Sequence, residues 1–216
     1  MTNAKWEEII LVAPRTKVFE AETLTFQGTE TDPEKVARIV RNIAGTFSTM
    51  RRGNEQDSTP KENNAEINTD YKQPIPYAVI RRGEEIYMYE RLSGGGEGRL
   101  HNKLSLGAGG HMNPIAENIS FGETLSVNLS RELEEELDIE DKKMKLTPIG
   151  LINDDSEEVS KVHIGVLTMI DVAVGTEVSV RETEQLDGSW ILIEDLKNPE
   201  VYNRLETWSQ IVVDLL

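Results

Sequence analysis

Residues 9–12 (IILV) form a short apolar run closed by Pro14, the pattern of a buried strand. Asp32, Pro33 and Glu34 then open a helix with a capping carboxylate, a first-turn proline and an early acid. Val36, Ile39, Val40, Ile43, Ala44 and Phe47 follow at helical spacing and make one apolar stripe. From 53 to 71 polar residues take over, with Ala65 and Ile67 the apolar exceptions before Tyr71, so a long loop or linker is predicted. Strands are predicted over 75–81 and 85–92, joined as a hairpin through 82–84, and a glycine-rich loop follows at 93–98. Further on the pattern gives a helix over 123–137, strands over 145–152, 162–172 and 189–193, and a closing helix over 199–216. Strands interspersed with a few helices define an α/β layered domain.

The helix over 123–137 carries the chemistry. Residues 131–139 read RELEEELDI. At about 100° per residue, Glu132, Glu135 and Glu136 share one helical face within roughly 100°, while Glu134 points away. Leu129, Leu133 and Leu137 form an adjacent apolar face. Carboxylates at helical spacing repel one another, and a hard divalent cation reverses that cost through oxygen ligands. An acidic solvated helix face is the competing reading of the same spacing.

Charge and composition narrow the setting. Acids outnumber bases 39 to 23, for a formal net charge of −16, which disfavours extended nucleic-acid partners. Small phosphate compounds remain compatible where a metal or a local basic pocket offsets the repulsion. The chain has no cysteine, so disulfides, thiolate metal sites and cysteine nucleophiles are excluded. The first residues carry two carboxylates where a signal peptide needs a basic end, and no apolar run approaches the ~20 residues that span a bilayer. The expectation is a cytoplasmic protein without a membrane partner.

Ahead of the acidic segment stand Gly109, Gly110 and His111, then Gly122 and Glu123, with seven residues between Glu123 and Arg131. Here the sequence resembles the Nudix hydrolases, whose box reads G-x(5)-E-x(7)-R-E-U-x-E-E-x-G-U, with U a bulky aliphatic residue. Glu123, Arg131, Glu132, Leu133, Glu135, Glu136 and Ile139 match at the required spacing. Two positions depart from the pattern. Twelve residues separate Gly110 from Glu123 where the box has five, an insertion of about seven over 115–121 that lengthens a loop at small entropic cost. Asp138 stands where the box has its last glycine. Neither change removes a carboxylate. Segments 87–92 and 102–111 look like the family's usual approach to its box, and 151–154, 162–166, 180–183 with 188–190, and 205–209 resemble the predicted phosphoesterases of MutT type, a resemblance that runs from about Trp6 to the C-terminus.

The resemblance implies a Nudix-type α/β/α sandwich with a mixed central sheet. It places an N-terminal extension over 1–72 and the hydrolase domain over 73–216. It implies a hydrolase cleaving a phosphoanhydride in a nucleoside diphosphate linked to another moiety, by water attack on phosphorus. Mg²⁺ or Mn²⁺ would be held by Glu132, Glu135, Glu136 and the carbonyl of Gly110 or Gly109, and Arg131 would position a glutamate. Glu132 or Glu135 would accept the proton of water, or else a loop acid, Glu182 or Glu184. Glu123 and Gly109 would support the box. Arg51, Arg52, Arg91, Arg99 and Lys103 are candidates for gripping a small nucleotide or pyrophosphate substrate. A catalytically silent nucleotide-binding module is the alternative. The extension could cover the site or build a homodimer. His163, in an apolar strand, reads as a core residue, and aromatic residues Trp6, Tyr71 and Tyr77 read as core before base-stacking. The acidic run 153–158 reads as a solvated turn.

Overall fold

The computed structural model describes residues 4–54, 56, 58–92, 101–115, 119–140, 145–156, 158–181 and 183–216. Its strands are β1 (Ile9–Pro14), β2 (Gly28–Glu30), β3 (Ser48–Arg51), β4 (Tyr71–Arg82), β5 (Glu85–Arg91), β6 (Leu104–Ser105), β7 (Gly107–Gly109), β8 (Leu137–Ile139), β9 (Lys145–Asn153), β10 (His163–Asp171), β11 (Val178–Val180) and β12 (Leu186–Leu192). The α-helices are α1 (Arg15–Val18), α2 (Pro33–Thr46), α3 (Phe121–Glu136), α4 (Glu158–Lys161), α5 (Pro199–Tyr202) and α6 (Thr207–Val213). The main sheet has the strand order β12-β5-β4-β10-β9-β2, so this is a mixed α/β fold built on a mixed central sheet. No helix among the described residues is long and apolar enough to cross a membrane.

The chain divides into two compact units that interleave in sequence. The first comprises Met1–Pro76, Gly110–Asn128 and Gly150–Val166. In it β1 pairs antiparallel with β3, Ile9 facing Arg51 and Val12 facing Ser48, and its end pairs with the start of β4. Helix α2 starts where Asp32 accepts from the backbone N–H groups of Glu34 and Lys35, two of the donors a helix start otherwise leaves unmatched. The apolar stripe of α2 buries Ile39 and Ile43 in a core with Leu11, Phe19, Met112, Phe121, Leu151 and Ile164. Phe121, at the end of the inserted segment, packs against Phe47 with ring centroids 5.7 Å apart.

The polar segment after Gly53 is a loop rather than a linker. It forms short 3-10 turns at Lys61–Asn63 and Ala65–Ile67, and Asn64, Ala65 and Asn68 are buried. Its backbone is tied down by the Gln73 side chain donating to Ala65 O at 2.8 Å. Polarity concealed this because the buried groups are asparagines that bond locally, Asn64 Nδ2 donating to Asn54 O and Asn68 Oδ1 accepting from Asp70 N.

The acidic run 153–158 likewise departs from the solvated turn its composition predicts. Asn153 and Asp154 are fully buried. Asp155 receives Arg15 through two bonds of 2.8 and 2.9 Å and Lys72 Nζ at 2.9 Å. Lys72 is buried completely, and burial pushes its ammonium down to about 8 despite that partner. Three charges on distant segments thus form one satisfied network.

The second unit comprises Tyr77–Gly109, Leu129–Ile149 and Leu167–Leu216. Strands β4 and β5 form the expected hairpin, Arg81 opposite Ile86 and Arg82 opposite Glu85, with Gly83 at φ 61° in the two-residue turn. Strand β5 also pairs with β12 over seven residue pairs, and β7 lies against β4 with Tyr77 opposite Gly109. Gly107 lies under the Tyr77 ring so closely that a Cβ there would sit 2.2 Å from it. Leu129, Leu133 and Leu137 bury the predicted apolar face of α3 against Ile80, Tyr87, Tyr89, Ile170 and Leu186.

The closing helix predicted over 199–216 is broken. Arg204 O accepts from Leu104 N at 2.9 Å and Leu104 O accepts from Glu206 N at 2.9 Å, so the backbone at 204–206 leaves the helix to pair with β6. Helix periodicity does not register a local exchange of helical for strand-like bonds.

Candidate active site

The carboxylates of 131–136 occupy the last turns of α3, in the second unit. Glu132 is buried, Glu136 half-buried, and Glu134 and Glu135 exposed. Arg131 ties two of them together: its Nη2 is 2.6 Å from Glu132 Oε1 and its Nη1 is 3.2 Å from Glu135 Oε2. The guanidinium therefore holds Glu132 through a short charge-assisted bond while also making the ordinary i, i+4 surface pair.

Glu136 meets a different environment. Its Oε2 lies 3.3 Å from the Tyr89 hydroxyl, which lies 2.7 Å from Gly107 O. The Tyr89 hydroxyl donates to Gly107 O at the shorter distance and towards Glu136 Oε2 at the longer one, where its proton favours the carboxylate. Burial is the main cause that pushes the Glu136 carboxyl up to about 7; Glu132 and Glu206 add to it, and Arg91 opposes it. Arg91 is in turn held by Glu206 at 2.5 Å and stands 5.6 Å from the Tyr89 ring centroid. Burial also raises Tyr89 well above its ordinary value, so it remains a neutral phenol.

The end of the helix is anchored without a glycine. Arg181 Nε donates to Leu137 O at 2.8 Å and its Nη2 is 3.3 Å from Asp138. Asp138 lies in β8 opposite Ser179, with its side chain exposed. No left-handed backbone is needed there, and the carboxylate substitutes for glycine without strain.

Other predicted residues distribute as follows. Glu123, in the first unit, accepts from Ser120 N at 2.9 Å and Ser120 Oγ at 2.6 Å, while Glu123 N faces Ser120 Oγ at 3.3 Å, a reciprocal cap at the start of α3. Those bonds pull its carboxyl below the usual range. Gly109 ends β7 in the second unit and Gly110 follows in the first. Arg91 is gathered beside the carboxylates; Lys103 Nζ is 3.5 Å from Asn203 O. Arg51 and Arg52 belong to the first unit, where Arg51 pairs with Glu7 at 2.6 Å and Arg52 with Glu66 at 2.8 Å. Glu184 is exposed in the turn before β12. Arg99 and Glu182 lie outside the described residues. Tyr77 is core, its hydroxyl 3.1 Å from Ser209 Oγ and its ring edge-on to Trp208.

Tyr89 and Glu206 were not singled out by the sequence pattern. The signal for Tyr89 was its alternation with Tyr87 along β5, which places both on one face. Glu206 had none, since it lies 115 residues from Arg91.

A mixed α/β fold on a mixed central sheet matches solved structures of the Nudix hydrolases. The chain is similar to the solved structure of Tm1382, assigned to that class, with TM-score 0.71 and 27% identity over 96% of this chain and 97% of that one. It is also 52% identical to Protein YmaB of Bacillus subtilis (strain 168) over 98% of both chains. The chain belongs to the family of Protein YmaB and is a Nudix-type hydrolase. No family model matches it.

Proposed function

We propose that this hydrolase cleaves a phosphoanhydride in a nucleoside diphosphate linked to another moiety, by water attack on phosphorus. The observation that carries the reading is the carboxylate cluster ending α3, in which burial pushes Glu136 up to about 7. A group held at that cost has a use for its charge.

The donor set fits a hard divalent cation, Mg²⁺ or Mn²⁺. Glu132, Glu135 and Glu136 offer oxygen alone, and the mutual repulsion of Glu132 and Glu136 is the charge a cation would neutralise. These three would hold it, and when bound it would screen the anionic pyrophosphate and acidify water. Glu135, the most exposed of the three at 58%, accepts the proton from the attacking water. Arg131 keeps Glu132 in one orientation, and Arg91, whose charge acts on Glu136, is the cation offered to a substrate phosphate. As the water oxygen bonds to phosphorus, the bridging P–O bond breaks and the departing phosphate keeps the electron pair. Residues 73–216 would supply this chemistry.

The test is mass spectrometry of pooled pyrophosphate compounds with wild type and Glu136→Gln, in Mg²⁺ and in Mn²⁺, with ¹⁸O water. The expected result is one compound depleted by wild type alone, with label on a phosphate product. Near-wild-type turnover by Glu136→Gln would overturn the assignment.

A further inference from the structure

A second cluster of ligating side chains lies wholly within the first unit. Glu66, His111 and His163 bring one carboxylate oxygen and two imidazole nitrogens within 4.8 Å of one another. His111 Nε2 is 3.4 Å from His163 Nε2 and 3.5 Å from Glu66 Oε1. Ligands about 2.0–2.1 Å from a tetrahedral Zn²⁺ stand about 3.3–3.4 Å from one another, so both separations match edges of that polyhedron.

Ring placement points the same way. Two imidazoles converging on one tetrahedral ion would set their centroids about 5.3 Å apart. The observed separation is 5.4 Å, at an interplanar angle of 67°. A nitrogen–nitrogen distance of 3.4 Å is also longer than the ~2.9–3.0 Å of a good hydrogen bond from N–H.

Each ligand sits on a separately fixed piece of backbone. Glu66 N donates to Arg52 O at 3.0 Å, and the neighbouring Ala65 O accepts from Gln73. His163 O accepts from the buried Lys72 at 3.1 Å, and Val162 O from Gln73 N at 2.6 Å. Beside His111, Met112 O accepts from Leu11 N at 2.8 Å. Arg52 Nε is 2.8 Å from Glu66 Oε1, the outer hydrogen bond that orients a ligating carboxylate. Such preorganisation is what a metal site requires.

We propose that Glu66, His111 and His163 form a site for a borderline first-row divalent cation, with Zn²⁺ the best fit, distinct in chemistry from the oxygen-only cluster on α3. Two nitrogens and one oxygen suit Zn²⁺ over Mg²⁺, and three protein ligands leave one position for water. The polar segment between β3 and β4 acquires a purpose, since it delivers Glu66 to the two histidines.

The test uses the full chain stripped with EDTA. Zn²⁺ is titrated against a chromophoric chelator, and Co²⁺ is added separately to read the intense visible bands of a four-coordinate ion. Wild type and the Glu132→Gln/Glu136→Gln variant are both expected to take up one tight Zn²⁺ equivalent. His163→Ala is expected to weaken it at least ~100-fold, beyond the effect of an outer-shell partner, and to abolish the Co²⁺ bands. Should circular dichroism show His163→Ala unfolded, Glu66→Gln carries the same comparison. No tight equivalent in wild type, equal affinity in a folded ligand variant, or loss only in the α3 variant would each overturn the proposal.

Discussion

Replacing Glu136 by glutamine separates stability from function. Burial pushes this carboxyl from 4.5 up to about 7. A folded-state value raised above the unfolded one means the folded protein binds the proton more tightly, so stability is lost as pH rises from about 4.5 through about 7. At 1.36 kcal/mol per unit, the ionised carboxylate costs the metal-free fold about 3 kcal/mol at pH 8 and under about 1 kcal/mol at pH 5. Glutamine is neutral at both, keeps the shape, and can accept at the Tyr89 hydroxyl.

Urea denaturation in EDTA at the two pH values reads the effect directly. Glu136→Gln is expected to be the more stable protein at pH 8, by about 2–3 kcal/mol, with the gap shrinking to less than about 1 kcal/mol at pH 5. Added Mg²⁺ should stabilise wild type and leave the variant unmoved, since binding to the folded state alone raises stability. A variant equally stable or weaker at pH 8, or a gap that does not change with pH, would refute the idea that this carboxylate is held against its burial.

Four further outcomes follow from the packing. Asp155→Asn leaves Lys72 buried without its anionic partner and should cost about 3 kcal/mol by urea denaturation, with Lys72→Met restoring much of it in the double variant. Because Arg15 and Lys72 hold the Asp155 carboxyl well below the usual range, its contribution is present above about pH 4 and is lost as pH falls below that; wild type should show this acid-side loss and Asp155→Asn should not. Gly107→Ala forces a Cβ into the Tyr77 ring and should destabilise by at least about 1–3 kcal/mol in thermal unfolding. Asp32→Ala removes the acceptor for two backbone donors at α2 and should cost about 1 kcal/mol.

What the sequence conveyed follows the range over which each signal acts. Helix α2, the 82–85 turn and the apolar face of α3 each depend on residues within a few positions, and periodicity, a capping acid and a turn glycine located them. The carboxylate trio was legible for the same reason, since one helical turn places it. Short strands such as β2, β3 and β11 were not, because three or four residues carry no period and depend on distant partners. The end of the chain misled in a specific way: residues 203–206 have no breaker, and the break goes with backbone pairing to Leu104, about a hundred positions away.

Charge shows the same division most clearly. With 39 acids in the chain, any single carboxylate reads as solvated. Yet Asp155, Glu66 and Glu206 each meet an arginine contributed from 14 to 140 residues away. His163, which its apolar strand marked as core, faces His111 from 52 residues away. Ion pairing and ligand convergence have no sequence period, so the functions that rest on them become visible only when the fold closes those distances. The α3 cluster is the exception because one helical turn sets its spacing, which makes it readable in the sequence even though burial by distant residues is the main reason Glu136 is costly to the metal-free protein.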